Sequence, residues 1–483
     1  MKTVAFHTLG CKVNQYDTEA MATLFRRQGY QVVPFEDSAD IYVINTCTVT
    51  HQGDRKSRQL VRRARRRNPG AVVVVAGCYA QTTPGEAAAI PGVSLVLGNS
   101  DKSRVVELAE EAAKREEVLV AVGNIFSLRD FGELDIEQFT GRTRAPVKVQ
   151  DGCREFCTYC IIPYARGTIR SRPLDDVRQQ VTRLAEAGIR EVVLTGIHIG
   201  SYGRDLDPQP SLSDLLFAIH DVKGIERIRI SSLEPMDADL DFLRTMAELP
   251  KVCHHLHLPI QSGSDTVLQR MRRRYQTSDL SQLLENARKW MPDLSVTTDV
   301  MVGFPGETEE EFRQTYRFIE KEQFTRLHVF PFSPRRGTPA AEAADQVDHE
   351  VKSRRVHELL DLSDRLSRSF YHRFVGETHT VLVEDQTGEL PDDLPTDWQH
   401  SGGEDESDDM GLTILDGLTD QYVRVFFRGW RRWRNRFIRV RIEGVTSEGV
   451  WGATVQDSMF TEAEAFAYQD TSGDLIRGTI GRA

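Results

Sequence analysis

Apolar residues in the amino-terminal part of the chain form short runs that alternate with longer amphipathic stretches. Short apolar runs are typical of strands in a buried sheet, and stretches with one apolar stripe are typical of helices. The predicted strands are Val4–Thr8, Ile41–Asn45, Val72–Ala76 and Val93–Leu97, and the predicted helices are Gln15–Gln28, Asp54–Arg67 and Lys102–Lys114. This alternation predicts a parallel sheet covered by helices.

A second and longer alternation of the same kind follows. In Leu174–Ala185 the apolar residues recur at helical spacing, and Asp175 and Asp176 occupy the first turn, where the helix dipole favours negative charge. The predicted strands are Val147–Gln150, Glu191–Thr195, Arg227–Ser231, His255–Pro259, Ser295–Val302 and Leu327–Phe332. Six strand–helix units in one domain predict a partial (βα)6 barrel, short of a closed one.

The carboxy-terminal part changes to a β-rich pattern. The segment Val351–Phe374 is predicted as a connecting helix, and the acidic stretch Pro391–Asp409 as an unstructured insertion. The predicted strands are His379–Glu384, Tyr422–Phe427, Phe437–Glu443 and Gly449–Val455. The fold class is therefore α/β with a small antiparallel β-barrel at the end. The predicted domains are residues 1–122, 139–375 and 376–457, the last with an insertion at 391–410.

Length and composition narrow the class of protein. The 483 residues, 40% of them apolar, are enough for several packed cores. The sequence has no apolar run of the roughly 18–20 residues that a membrane span needs, and Met1–Gly10 lacks the apolar core of a signal peptide. We therefore expect a cytoplasmic protein without membrane contact. The net charge of −11 does not indicate nucleic-acid binding, but Arg55–Arg67 and Arg428–Arg441 are locally basic.

Three of the seven cysteines stand in one short loop after the first barrel strand, in the segment Cys153-Arg-Glu-Phe-Cys157-Thr-Tyr-Cys160. A [4Fe–4S] cluster normally takes four thiolates, so a loop with three leaves one iron open for a cofactor. The alternative is a zinc site that borrows its fourth ligand from elsewhere, although zinc motifs usually pair two-cysteine knuckles.

Cys11, Cys47 and Cys78 each follow one of the first three predicted strands, 36 and 31 residues apart. Because the carboxyl ends of parallel strands meet at one rim of a sheet, these thiols are expected to converge there. The alternative is three ordinary buried thiols. Cys253 lies outside both groups and is interpreted as structural, and His255 and His257 beside it as alternating strand residues rather than metal ligands.

At the Cys153–Cys160 segment the sequence resembles the radical S-adenosylmethionine superfamily. Within that superfamily it is similar to the methylthiotransferases, and the similarity extends over nearly the whole chain. The matching segments are Thr8-Leu-Gly-Cys11-Lys-Val-Asn14-Gln-Tyr-Asp17-Thr-Glu19, Asn45-Thr-Cys47-Thr-Val, Ala76-Gly-Cys78-Tyr-Ala-Gln81, Leu194-Thr-Gly-Ile-His-Ile-Gly200, Ser231-Ser-Leu-Glu-Pro235, Leu258-Pro-Ile-Gln-Ser-Gly-Ser264 and Asp299-Val-Met-Val-Gly-Phe-Pro-Gly-Glu307.

The resemblance implies two [4Fe–4S] clusters, one held by Cys153, Cys157 and Cys160 and the other by Cys11, Cys47 and Cys78. It implies that the first cluster binds and cleaves S-adenosylmethionine to a 5′-deoxyadenosyl radical, with electrons from a donor such as flavodoxin or ferredoxin. The second cluster would supply sulfur, and a further S-adenosylmethionine the methyl group. The family contacts its cofactor at the positions of Tyr159, Gly196, Ser232 and Glu234. The sequence alone does not identify a residue that acts as a general acid or base.

The terminal β domain carries cations interleaved with aromatic residues, in Arg428-Gly-Trp-Arg-Arg-Trp-Arg-Asn-Arg436. Cations neutralise phosphates and aromatic rings stack on unpaired bases. The alternative is a charged turn anchored by two tryptophans. The domain is similar to the TRAM module of tRNA-modifying enzymes, which implies RNA binding through Arg431, Arg432, Arg434 and Arg436 and a tRNA anticodon loop as partner.

The motif after Cys11 and the segment Thr195–Gly203 look most like the subgroup that methylthiolates C2 of N6-threonylcarbamoyladenosine 37 in tRNA. The open alternatives are isopentenyladenosine 37, an aspartate of a ribosomal protein, and a non-catalytic iron–sulfur protein that binds RNA. A threonyl carboxylate needs a cation nearby, and Arg166, Arg170 and Arg172 are candidates. The alternative for each of these arginines is ordinary surface charge.

Overall fold

The structure is a computed structural model, and it describes residues 1–48, 51–132, 136, 143–384, 390–395, 398 and 412–455. The side chains of residues 51–54 and 412 are outside this description. The chain divides into two compact units, one of residues 1–370 with 420–422, the other of residues 371–419 with those from 423 onward. Each unit is described by itself.

The larger unit begins with a parallel sheet. Its strands are β1 (Thr3–Thr8), β2 (Gln31–Val33), β3 (Ile41–Thr46), β4 (Val72–Gly77), β5 (Leu95–Leu97) and β6 (Leu119–Ala121), and its helices are α1 (Lys12–Arg27), α2 (His51–Arg67), α3 (Cys78–Thr82), α4 (Pro84–Ala88) and α5 (Val105–Ala112). The strand order is β2-β1-β3-β4-β5-β6, and every neighbouring pair is parallel. The predicted parallel sheet is confirmed.

Two strands of this sheet, β2 and β6, were not predicted. Each has only three residues and lies at an edge of the sheet. Edge strands of this length contain too few alternating positions to stand out in a sequence. The predicted helix Lys102–Lys114 is a 3-10 turn at Lys102–Arg104 followed by α5.

The same unit continues into the barrel. Its strands are β7 (Arg144–Lys148), β8 (Gln150–Asp151), β9 (Arg170–Ser171), β10 (Glu191–Thr195), β11 (Arg227–Ile230), β12 (His255–His257), β13 (Ser295–Val302) and β14 (Arg326–Pro331). Its helices are α6 (Ile162–Arg166), α7 (Leu174–Glu186), α8 (Leu212–His220), α9 (Leu240–Glu248), α10 (Asp265–Arg270), α11 (Thr277–Trp290), α12 (Glu309–Glu322), α13 (Pro339–Glu342) and α14 (His349–His372).

The barrel strands form two parallel three-stranded sheets, β11-β10-β7 and β12-β13-β14. Single bridges between Ile228 and Val252 and between Ser232 and His257 join the two sheets, so the six strands follow one another in space as in sequence. The strands β8 and β9 form a separate antiparallel pair. The predicted partial barrel is confirmed.

One apolar core lies between the barrel strands and the surrounding helices. Val192, Ile228 and Val296 on the strands pack in this core with Leu216 and Leu284 on the helices. Because side chains alternate along a strand, the residues between these apolar positions face the inner side of the barrel. The inner side is therefore where polar residues of the strands can meet.

The smaller unit is a closed barrel of five strands in the order β15-β16-β17-β19-β18. The strands are β15 (Thr378–Glu384), β16 (Leu412–Leu418), β17 (Arg424–Trp430), β18 (Phe437–Val445) and β19 (Val450–Thr454). Four neighbouring pairs are antiparallel, and the fifth, β17 with β19, is parallel. The prediction of a small β-barrel is confirmed, with one parallel pair that local sequence patterns do not reveal.

The acidic stretch is only partly described, and two of its apolar residues are folded. Leu394 and Trp398 are buried and pack against Ile414 and Phe426 of the barrel. The prediction of an unstructured insertion is therefore wrong for these two residues, because buried apolar area offsets the entropy of ordering the chain. Residues 396, 397 and 399–410 of the predicted insertion lie outside the described residues, and the strand β16 that follows was not predicted. Within the described residues no helix is long and apolar enough to cross a membrane.

Candidate active site

The loop with Cys153, Cys157 and Cys160 is closed at its base by backbone hydrogen bonds. The amide of Cys153 donates to the carbonyl of Gly167 at 3.0 Å, and the amide of Cys160 donates to that of Cys157 at 2.9 Å. The pair β8–β9 brackets the loop on both sides. This frame holds the three thiols on the barrel in a fixed loop rather than on a free segment.

Two buried cation-forming side chains contact sulfurs of this loop. His198 Nδ1 lies 3.7 Å from Cys153 Sγ, while its Nε2 lies 2.6 Å from Asp237. Arg273 donates from Nη1 to Cys157 Sγ at 3.6 Å and is paired with Glu234. Burial acts to lower the pKa of His198, but its bonds to Asp237 and Cys153 outweigh this and raise the pKa to about 10. Both partners therefore favour negative charge on the sulfurs.

Burial raises the pKa of the Cys160 thiol to about 12. A thiol in this environment stays protonated at neutral pH unless a positive centre binds it. A metal group is such a centre, because a coordinating thiol is deprotonated outright. The loop is therefore suited to hold a metal group and poorly suited to present free thiolates.

Of the four predicted cofactor contacts, Tyr159 lies within this loop, and Glu234 is paired with Arg273, which contacts Cys157. Tyr159 packs on an apolar cluster that contains Met271 and Met301. Gly196 directly follows β10, Ser232 is exposed and bridges to His257, and Glu234 is held by Arg273.

Cys11, Cys47 and Cys78 lie at the carboxyl ends of three neighbouring strands, β1, β3 and β4. A Cβ atom on Gly10 would lie 3.0 Å from Cys47 Sγ, so the chain just before Cys11 passes directly over Cys47. Cys78 is buried at the start of α3. Neighbouring strands thus bring the three thiols to one rim of the sheet.

The spacing of the sulfurs distinguishes a cluster from a single ion. In the described part of the chain, the groups of three possible ligand atoms within 4.8 Å of one another contain no cysteine. One zinc ion with sulfur ligands at about 2.3 Å needs all its sulfurs within roughly 4.6 Å of one another. A four-iron cluster spreads its ligands over separate corners, so its sulfurs need not lie that close together. Two sets of three thiols are donor sets that fit two such clusters, each with one iron left open.

A buried ionic network connects the two cysteine groups, and Arg166 is its centre. Arg166, at the end of α6 and 1% exposed, donates from Nε to Cys78 Sγ at 3.3 Å. Its Nη1 pairs with Asp17 at 2.8 Å and with Asp151 at 3.2 Å, and its Nη2 donates to Asn14. A residue that follows the Cys153–Cys160 loop therefore contacts a thiol of the other group.

The network contains more buried cations than carboxylates. Lys102, Lys148, Arg166 and Arg170 pair with only two acids, Asp17 and Asp151. Burial acts to raise the pKa of Asp17, but Lys102, Lys148 and Arg166 outweigh it and lower that pKa well below its usual range. Arg166 therefore brings positive charge next to the sulfur of Cys78, and a neighbouring cation favours the thiolate form that metals bind.

The expectation that Arg166, Arg170 or Arg172 meets a substrate carboxylate is wrong. Arg166 is fully engaged by the network, and Arg170 bonds to two backbone carbonyls and to Asp151. Arg172 bonds to Gln180 and to the hydroxyl of Tyr16. All three are buried side chains with partners inside the protein, and neither surface charge nor substrate binding describes them.

Several site residues were not assigned from sequence. They are Asn14, Asp17, Lys102, Lys148, His198, Asp237 and Arg273. Three of these stand inside or next to segments that carried the family resemblance, namely Asn14, Asp17 and His198. Their position in these segments was the signal that the sequence offered. Buried polar side chains nearly always have a hydrogen-bond partner, so polar residues next to the site cysteines were candidates for contacts with the site.

The basic segment of the smaller unit is a turn between β17 and β18. Arg431–Trp433 form one 3-10 turn, and Arg431, Arg432 and Arg434 are exposed whereas Arg436 is half-buried. The guanidinium of Arg432 lies 5.7 Å from the ring of Trp430. The turn thus presents three cations and aromatic surface together.

Two family models match the chain. Residues 3–98 match an uncharacterized protein family, UPF0004, and residues 147–319 match the radical SAM superfamily. The first match covers the sheet with Cys11, Cys47 and Cys78, and the second covers the barrel from the Cys153 loop to α12.

Curated relatives cover most of the chain. Threonylcarbamoyladenosine tRNA methylthiotransferase MtaB of Bacillus subtilis is 46% identical over 92% of this chain and 94% of its own length. The enzyme of the same name from Thermotoga maritima is 37% identical over 93% and 96%. A tRNA-2-methylthio-N(6)-dimethylallyladenosine synthase of Carboxydothermus hydrogenoformans is 36% identical over 78% and 87%.

Among solved structures, the radical S-adenosylmethionine methyltransferase TsrM from Kitasatospora setae, with cobalamin and a [4Fe–4S] cluster bound, is similar in fold. Its TM-score is 0.55 at 17% identity, over 71% of this chain and 77% of that chain. Three observations point to the same family, namely the sequence matches, the two cysteine groups and the partial barrel. The chain belongs to the family of radical S-adenosylmethionine methylthiotransferases, enzymes that use [4Fe–4S] clusters and S-adenosylmethionine.

Proposed function

We propose that this enzyme methylthiolates C2 of N6-threonylcarbamoyladenosine 37 in tRNA. The observation that carries the proposal is the presence of two separate groups of three cysteines in one compact unit. Relatives named for this substrate at 46% and 37% identity over more than nine-tenths of the chain support it.

In this proposal Cys153, Cys157 and Cys160 hold the cluster that binds S-adenosylmethionine, and Cys11, Cys47 and Cys78 hold an auxiliary cluster. When bound, the two clusters supply radical formation from S-adenosylmethionine and the sulfur atom of the product, respectively. The protein's own task is to hold both sites in one rigid frame and to exclude water from them.

Three side chains contact the cysteine sulfurs and favour negative charge on them. His198, oriented by Asp237, contacts Cys153, and Arg273, paired with Glu234, contacts Cys157. Arg166 does the same for Cys78 from inside the buried ionic network. Hydrogen bonds to cluster sulfurs are among the factors that set cluster potential.

The basic turn of the smaller unit is the proposed tRNA contact. Arg431, Arg432 and Arg434 are exposed, and Arg436 adds a fourth charge beside them. We place the anticodon loop as the partner, a flavodoxin or ferredoxin as the electron donor, and the cytoplasm as the location.

A second candidate substrate is isopentenyladenosine 37, since relatives named for the dimethylallyl form are 36% identical over 78% of the chain. The two substrates differ in charge, because only the threonylcarbamoyl group carries a carboxylate. The enzyme should therefore discriminate between them through a cationic group near the base.

The test is a comparison of three substrates. The reconstituted enzyme is incubated with S-adenosylmethionine, a reductant and one of three substrates. These are tRNA with threonylcarbamoyladenosine, tRNA with isopentenyladenosine, and a ribosomal peptide. The products are digested and analysed by mass spectrometry. A methylthio group on threonylcarbamoyladenosine alone is expected. Product only from the isopentenyl tRNA, or only from the peptide, would refute the substrate assignment and leave the family assignment intact.

A further inference from the structure

Three side chains of ligand type converge on the inner side of the barrel, apart from both cysteine groups. His257, Asp299 and His328 each bring one ligand atom within 4.8 Å of the others. His257 Nε2 lies 3.3 Å from Asp299 Oδ1, and His328 Nδ1 lies 3.2 Å from the same oxygen. Ligand atoms around one divalent ion at about 2.1 Å are separated by similar distances.

The register of the strands fixes this arrangement. His257 lies on β12 opposite Thr297 of β13, and Asp299 lies opposite His328 of β14. Thr297 and Asp299 share one face of β13, whereas Val296 and Val300 pack on the other face in the core. The three ligand side chains therefore project from adjacent hydrogen-bonded strands, which is a rigid support for a metal site.

A second layer of contacts orients His257. Its Nδ1 lies 2.9 Å from the hydroxyl of Thr297, which is also 3.0 Å from His255 Nε2. When a histidine binds a metal, its other ring nitrogen usually donates to a nearby oxygen, which fixes the ring and its tautomer. With Nδ1–H directed to Thr297, Nε2 is the nitrogen of His257 that would be left for a metal ion.

The carboxylate of Asp299 lies between the two imidazoles. Its ion-pair partners in the described part of the chain are His257 and His328, with no Lys or Arg among them. Within the described residues, no ammonium or guanidinium group therefore competes with a metal ion for this carboxylate.

We propose that His257, Asp299 and His328 bind one divalent transition-metal ion, such as Zn²⁺ or Fe²⁺, on the inner side of the barrel, which revises the sequence interpretation of His257 as an ordinary strand residue. Two imidazoles and one carboxylate are a donor set that suits these ions and leaves coordination positions open. The exposed fractions of the three side chains are 12%, 29% and 62% in sequence order, so the site is open on the His328 side.

The open positions give the ion a role in substrate recognition, and this step rests on the proposed function. The three arginines expected to meet the threonyl carboxylate are occupied elsewhere. An ion with open positions in the barrel takes a carboxylate oxygen as a ligand. The ion thus supplies the cation by which threonylcarbamoyladenosine is distinguished from the uncharged isopentenyl form.

The metal site is tested without tRNA. The full chain with both clusters reconstituted is mixed with excess Zn²⁺, desalted, and analysed for zinc and iron together. The wild type is expected to retain one zinc per chain more than His328→Ala and Asp299→Asn, with the same iron content. His328 is exposed and Asp299→Asn keeps the side-chain size, so both variants should fold.

The matched control is His357→Ala, which removes an exposed histidine of α14 whose hydrogen-bond partner within the described residues is the carbonyl of Ser353. This variant should retain the wild-type amount of zinc. Equal zinc in the wild type, His328→Ala and Asp299→Asn would overturn the site.

The role in recognition is tested by kinetics. In His328→Ala the KM for tRNA with threonylcarbamoyladenosine should rise about tenfold, while in His357→Ala it should stay at the wild-type value. An unchanged KM would overturn the role. If the wild type binds zinc but does not modify this tRNA at all, the proposed function fails and the metal site stands.

Discussion

Individual side chains next to the cysteine sulfurs determine most of the electrostatic environment of the two cysteine groups. His198 and Arg273 serve the barrel loop, and Arg166 serves Cys78. Each of the three is anchored by a carboxylate, respectively Asp237, Glu234 and the pair Asp17 with Asp151. A charged donor held in this way stabilises negative charge on sulfur without needing to reorganise.

Replacing Arg166 by Gln should shift the reduction potential of the auxiliary cluster to a more negative value. The cation and its N–H···S bond stabilise the reduced, more negative state of a cluster, and the variant loses both. The measurement is a redox titration followed by electron paramagnetic resonance. The control is Arg170→Gln, which removes a cation of the same network that bonds to Asp151 and backbone carbonyls. Equal shifts in the two variants would contradict a specific role of Arg166.

Replacing Asp17 by Ala should lower the free energy of unfolding by about 3–5 kcal/mol, because it leaves buried cations without their partner. Asp17 is fully buried between Lys102 and Lys148. The control is Glu19→Ala in the same helix, where a partly exposed pair with Arg26 is lost and roughly 1 kcal/mol or less is expected. Denaturant unfolding of both variants gives the comparison, and equal losses would contradict the importance of the network.

The sequence indicated which cysteines matter but not which residues surround them. Cys153, Cys157 and Cys160 stand within one short segment, so spacing alone grouped them. Arg166 is 149 residues from Asp17, and Lys148 is 131 residues from it. Contacts across such separations follow from how two sheets pack in one unit, which no local pattern contains.

At the scale of elements, the loop of the barrel cysteines depends on one backbone conformation. Gly152 precedes Cys153 with a φ of +76°, in the left-handed region. A Cβ atom there would lie 1.9 Å from the carbonyl oxygen of Thr168, on the other side of the β8–β9 pair. Only glycine allows the two sides of the loop to approach this closely.

Gly152→Ala should therefore disrupt the barrel loop and leave the auxiliary site intact. Iron after reconstitution should fall to about half of the roughly eight atoms expected for two clusters, and cleavage of S-adenosylmethionine should be lost. The control is Gly188→Ala, which has a φ of +89° but no atom within 4 Å of its Cβ position. It should cost only about 1–2 kcal/mol of strain and keep its iron. Full iron in Gly152→Ala would contradict this account of the loop.

The turn Arg431–Trp433 is the element proposed to bind tRNA. Replacing Arg431, Arg432, Arg434 and Arg436 together by Ala should weaken tRNA binding and reduce its salt dependence by about 0.7–0.9 in slope for each lost phosphate contact. Cleavage of S-adenosylmethionine without tRNA should persist. Binding measured at several salt concentrations tests this.

The control for the turn is Arg439→Ala with Arg441→Ala, which removes exposed charges from β18 outside the turn. It should change tRNA affinity less than the four-fold variant. Unchanged tRNA affinity in the four-fold variant would mean that the basic turn faces solvent and does not bind tRNA.

Long elements were predictable and short ones were not. The eight-residue strand Ser295–Val302 was predicted to the residue, because it is nearly continuous in apolar or β-branched positions. The three-residue strands β2 and β6 were missed, and β16 was missed because it follows an acidic stretch. Strands of this kind are specified by the neighbours that pair with them, not by their own pattern.

For the whole molecule, the alternation of strands and helices predicted the parallel sheet and the partial barrel, but not their union in one compact unit. That union is what brings Arg166 of the barrel against Cys78 of the sheet. The proposed function therefore requires two clusters with separate tasks in one compact unit. One cluster is needed for cleavage of S-adenosylmethionine, and the other is needed for transfer of sulfur.

The most direct test of this division is the product pattern of Cys47→Ala beside that of Cys157→Ala. Each reconstituted variant is incubated with S-adenosylmethionine, a reductant and tRNA bearing threonylcarbamoyladenosine, and 5′-deoxyadenosine and methylthiolated nucleoside are measured by mass spectrometry. Cys47→Ala should still form 5′-deoxyadenosine but no methylthiolated nucleoside, and Cys157→Ala should form neither. Methylthiolated nucleoside from Cys47→Ala, at the wild-type level, would contradict the account.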